Sequence, residues 1–88
     1  MARRIPPWLD WDLRLTDHIE ERMIDRGFNE VDLREMLEDP IGIGRGGMSG
    51  RWILRTRLHG RGWRVVVEPD WFEQRLWVIT AYPRGSEG

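Results

Sequence analysis

The stretch Asp17 to Gly27, DHIEERMIDRG, puts His18, Arg22 and Arg26 at successive four-residue steps before a glycine. On an α-helix such steps stack on one face, so the three side chains form a cationic ridge. An imidazole can give or take a proton near neutral pH, and guanidinium groups grip phosphate oxygens with paired N–H donors. On a helical wheel Arg22 falls ~40° and Arg26 ~80° from His18. Leu15, Ile19 and Met23 fill the adjoining sector, so the ridge borders the apolar stripe and belongs at a seam between helix and sheet. Simpler roles stay open. His18 suits a satisfied boundary histidine, and the arginines could pair with Glu21, Asp25 or Asp39, with Arg26 tying the helix end to the following turn.

A second set of candidates lies downstream. The runs RWILRTRL (51–58), GWRVVVEP (62–69) and RLWVITAYP (75–83) alternate with the period of two that marks strands. Trp52, Leu54, Thr56 and Leu58 share one face of the first run, as do Trp63, Val65 and Val67 of the second. In the third, strict alternation sets Trp77, Ile79 and Ala81 against Val78, Thr80 and Tyr82. If the apolar sets meet the helices, Arg51, Arg55, Arg57, Arg64, Thr80 and Tyr82 gather on the other face. Within these runs only Glu68 could neutralise that face, whereas a merely solvated face mixes signs. Antiparallel sheets do commonly keep one wet face, and arginine is ordinary there.

The elements that must position these groups follow from punctuation. Residues 1–14, with Pro6-Pro7 and the apolar Trp8, Leu9, Trp11 and Leu13, read as an irregular N-terminal arm packed on the domain. The first helix starts at Thr16 or Asp17, with Asp17 and Glu20 spaced as a capping box, and ends at Gly27. Asn29 caps a second helix, Phe28 and Leu33 have the spacing of a hydrophobic staple, and Asp39-Pro40 stops it. IGIGRGGMSG suits a short edge strand and a loop; His59-Gly60-Arg61 is a tight hairpin turn, and Asp70 to Gln74 a longer one. The predicted fold is α+β: an N-terminal α-hairpin packed on one face of a three- to four-stranded antiparallel sheet. The arm (1–14), a single domain (15–83) and a flexible tail (84–88) complete the expected organisation.

Composition narrows the function classes. The chain's 88 residues suffice for one small core, to which six tryptophans contribute bulky apolar area. There is no cysteine, so disulfides and thiolate metal sites are excluded. The two histidines lack any metal-binding spacing, and no metal or cofactor is expected. MARRIPPWLDWDL has no apolar core of a signal peptide, and no run is long enough to span a membrane, so a cytoplasmic location is expected. All 14 basic residues are arginine. The net charge of −1 hides an asymmetry: residues 1–40 carry 11 acids and six arginines, residues 41–88 four acids and eight arginines.

The order H-x-x-x-R-M-x-x-R-G-F (His18 to Phe28), a second helix ending at Pro40, and a last strand V-I-T-A-Y-P (Val78 to Pro83) resembles the family known as domain of unknown function 4258. That family is placed in the RelE/ParE-like toxin superfamily, grouped with barnase-, EndoU- and colicin-type ribonucleases, and the resemblance spans roughly residues 15–83. It implies a metal-independent endoribonuclease toxin of a toxin–antitoxin pair, cleaving RNA through 2′-hydroxyl attack. RNA, in some cases on the ribosome, and a cognate antitoxin protein are the implied partners. Carried onto this chain, the implied catalytic set is His18 and Arg22 from the helix, a strand arginine such as Arg64 or Arg55, and Thr80 with Tyr82 from the last strand. Arg26, Arg51, Arg55 and Arg57 would bind the nucleic acid. His18 would move protons, the arginines would stabilise phosphorane charge, Thr80 would bond a phosphate oxygen, and Tyr82 would stack on a base. Two alternatives stand beside it: a non-catalytic nucleic-acid- or protein-binding module of the same fold, and a ParE-like inhibitor of gyrase.

Overall fold

The computed structural model describes residues 5–85. A 3-10 turn (Pro7–Asp10) leads into β1 (Asp12–Leu15), then α1 (Asp17–Arg26) and α2 (Glu30–Glu38). Four strands follow: β2 (Gly42–Arg45), β3 (Trp52–Leu58), β4 (Arg61–Asp70) and β5 (Arg75–Pro83). They form one five-stranded sheet in the order β1-β5-β4-β3-β2. β2 to β5 are an antiparallel meander, and β1 runs parallel to β5, from Asp12 beside Arg75 to Leu15 beside Val78.

This overturns the expected architecture of an N-terminal α-hairpin on a three- to four-stranded antiparallel sheet. The sheet is mixed, has five strands, and its first strand precedes both helices. The physical reason lies in DLRL (12–15). Its alternation is too short to identify a strand, and the segment becomes one only because β5 offers an open edge to pair with. The rest of the arm is not peripheral either. Trp8 is 2% exposed and packs against Trp52, ring centroids 5.8 Å apart. Residues 1–4 of the expected arm and 86–88 of the expected tail lie outside the described residues.

Local chemistry sets the helix ends. The Thr16 hydroxyl accepts the Ile19 N–H at 3.1 Å and caps α1, in place of a box between Asp17 and Glu20. Gly27 closes the helix at φ 71°, a left-handed conformation that costs glycine little. In α2 the Asn29 side chain accepts the Asp32 N–H at 2.9 Å, and the Asp32 carboxylate accepts the Asn29 N–H at 3.0 Å. That reciprocal pair is a capping box with aspartate in the usual glutamate place.

Both helices pack on the same face of the sheet. Ile19, Leu33 and Met36 interlock there with Leu54, Val65, Val67, Leu76 and Val78, all fully buried. Phe28 meets Trp63 edge to face at 5.0 Å. The buried Thr56 hydroxyl donates to the Met36 carbonyl at 2.6 Å and ties β3 to α2. Strict alternation fails at one place. Val67 pairs with Val78 and Val66 with Thr80, which leaves Ile79 as an extra residue. The bulge inverts the parity of β5: Val78 and Ala81 enter the core, while Thr80 and Tyr82 stand with Trp77 on the opposite face.

Candidate functional site: an arginine-lined sheet face

The face turned away from the helices is organised in rows by strand register. Gly42, Arg55, Arg64 and Tyr82 stand in line across β2, β3, β4 and β5. The neighbouring row is Gly44, Ile53, Val66 and Thr80. On the other flank Arg57 pairs with Gly62, and the Arg84 N–H donates to the Gly62 carbonyl at 2.9 Å. Successive rows are two residues, about 7 Å, apart along a strand. Four arginines therefore share one end of the face, and none of these rows contains an acid.

Two glycines shape that surface. A Cβ at Gly42 would collide with the guanidinium of Arg55, which lies across β2. A Cβ at Gly62 would come within 2.9 Å of the Arg84 Cδ. Each missing side chain lets an arginine lie flat along the sheet. Arg64, between them, is half-buried, and its Nε is shielded from solvent.

Several arginines elsewhere are held by acids, although Arg14, Arg45 and Arg61 meet none among the described residues. Arg22 pairs with Asp25 at 2.9 Å, Arg34 with Glu30 at 3.2 Å and Arg75 with Glu73 at 3.7 Å. On the open face Arg51 holds Glu68 at 3.1 Å, so the one acid expected to neutralise the row is engaged farther along it. Arg55, Arg57 and Arg84 form no ion pair with any described residue.

The sheet thus brings together Arg55, Arg57, Arg64, Thr80 and Tyr82 of the candidate residues, with Arg51 at a distance set by its bond to Glu68. The helix ridge occupies the other layer. His18 lies exposed in the first turn of α1, and its side chain forms no hydrogen bond or ion pair among the described residues. Arg22 is half-buried and held by Asp25. Arg26 donates to the Ala81 carbonyl, on the stretch of β5 that β1 does not cover. The Thr16 hydroxyl lies 3.3 Å from both the Val78 and Ile79 carbonyls and shields the start of that stretch. Arg26 and Thr16 therefore protect a strand edge, so Arg26 ties the helix end to β5 rather than to the following turn.

Arg84, Gly42 and Gly62 were outside the candidate set. Nothing in the sequence marks them, since their meaning depends on which residues register places beside them. Chemically, the cluster supplies N–H donors and fixed positive charge for phosphate oxygens, hydroxyls at Thr80 and Tyr82, and an aromatic ring for stacking. Among the described residues no group of three or more His, Asp or Glu side chains is placed to hold a metal ion, and no helix is long and apolar enough to cross a membrane. No protein-family model, curated protein or solved structure matches the chain.

Proposed function

We propose that the arginine-lined face binds RNA and that the protein is a metal-independent endoribonuclease of the toxin type, acting in the cytoplasm and restrained by a cognate antitoxin protein. The observation that carries the binding half is the Arg55–Arg64–Tyr82 row, flanked by Arg57 and Arg84, in rows that hold no acid among the described residues. The resemblance of His18 to Phe28 and of Val78 to Pro83 to the 4258 family supports the cleavage half. In the reaction a base takes the proton of the 2′-hydroxyl, that oxygen attacks phosphorus, and the bond to the 5′-oxygen breaks as it gains a proton. A 2′,3′-cyclic phosphate and a 5′-hydroxyl remain. Arg55 and Arg64 would offset the phosphorane charge, Thr80 would donate to a phosphate oxygen, and Tyr82 would stack on a neighbouring base. His18 is the proton-transfer candidate, and an RNA bound across the edge of β5 would have to reach it.

The place of His18 on the helix layer favours a second reading, in which the same face binds nucleic acid without cleaving it. Incubation of the purified protein with RNA in chelator separates the two. Cyclic phosphate ends that vanish with Arg64→Ala support the nuclease. Intact RNA, bound with an affinity that falls steeply with salt, supports the binding module. RNA that is neither bound nor cut rejects both.

A further inference from the structure

The four arginines at one end of the open face fall into two rows, and the second has no role in the reading above beyond its charge. Arg57 stands on β3 opposite Gly62 of β4. From the other side the chain leaves β5, and Arg84 is anchored by its backbone N–H to the Gly62 carbonyl at 2.9 Å. The stem of Arg84 then runs over Gly62: its Cδ, Cγ and Cβ would lie 2.9, 3.4 and 3.7 Å from a Cβ built there. Two cationic side chains thus flank one glycine, and neither meets an acid among the described residues. Like charges on neighbouring strands repel, so the arrangement is more favourable with an anion between them. The row lies about 7 Å along the strands from the Arg55–Arg64 row, a separation comparable with that of neighbouring phosphates on one nucleic-acid strand.

We infer that Arg57 and Arg84, laid on either side of Gly62, form a second phosphate subsite that takes the phosphodiester next to the one held by Arg55 and Arg64. The inference rests on the RNA-binding reading and adds to it a two-phosphate register and a residue beyond the last strand. Gly62 is a positioning residue: a methyl group there pushes Arg84 off the sheet while leaving its charge in place.

The test measures binding of a short labelled oligoribonucleotide, with the 2′-hydroxyls methylated to prevent cleavage, over a range of salt concentrations. For a single strand each lost phosphate contact lowers the slope of log K against log salt by about 0.7. Arg57→Ala/Arg84→Ala is expected to lose about one such step or more and to bind more weakly, with Arg55 and Arg64 still contributing. Gly62→Ala is expected to weaken binding while keeping every charge. Circular dichroism and thermal melting establish that each variant is folded. Should Arg55→Ala/Arg64→Ala bind poorly while Arg57→Ala/Arg84→Ala binds as the parent does, the second subsite is overturned and the RNA-binding reading survives. If neither pair alters binding, the RNA-binding reading fails and the subsite with it.

Discussion

Arg55 and Arg64 stand directly opposite each other on β3 and β4, two like charges in one cross-strand pair. Arg55 turns its guanidinium over Gly42, which draws its charge toward the outer strand, and like charges directly opposite on paired strands repel. Arg55→Thr should therefore stabilise the fold, by about 0.2–1 kcal/mol from relieved cross-strand repulsion, while weakening RNA binding. Urea unfolding read alongside an RNA-binding titration checks both halves. A variant that loses stability and keeps its affinity would contradict the functional account of the row.

Trp8 tests whether the N-terminal segment is core or ornament. It is 2% exposed and packs on Trp52. Trp8→Ala should cost about 3–5 kcal/mol, a large share of the stability of so small a domain. A melting temperature within a degree or two of the parent would show that the arm is dispensable.

Thr16 serves two elements at once, capping α1 and bonding carbonyls of β5. Thr16→Val keeps the shape and removes the oxygen. Loss of the cap alone is worth about 0.5–2 kcal/mol, and loss of the hydroxyl beside the Ile79 carbonyl adds to it, while the Val78 carbonyl keeps the Thr16 backbone N–H at 3.5 Å. Faster amide exchange at the start of α1 is the expected signature. Exchange that rises only in distant strands would argue against the role.

Thr56 is the one polar side chain among the described residues that is buried in the core, and its hydroxyl bonds the Met36 carbonyl near the end of α2. Thr56→Val leaves that carbonyl without its partner, at a cost of about 1–3 kcal/mol. Equilibrium unfolding measures the loss. An unchanged midpoint would mean the carbonyl finds another donor.

Much of this molecule was legible from local rules. Gly27, Asn29 and Asp39-Pro40 delimit the helices because their backbone preferences act over a few residues. β3 and β4 declare their inner faces through alternation, so Arg55, Arg57 and Arg64 could be placed on the outer face before any partner was known. What escaped depends on contacts distant in sequence. DLRL is a strand only beside β5, and the parity of Thr80 against Val78 turns on the Ile79 bulge, which exists only in relation to β4.

The sequence by itself determined the two helices, the meander and a basic outer face, because helix caps, glycine turns and period-two patterning are set by neighbouring residues. The tertiary structure alone decided the fifth, parallel strand, the separation of His18 from the arginine rows, and the meeting of Arg84 with Gly62. Each of those depends on which backbone edge pairs with which. Register across the sheet, unlike the alternation within one strand, is chosen by the packing of the whole core.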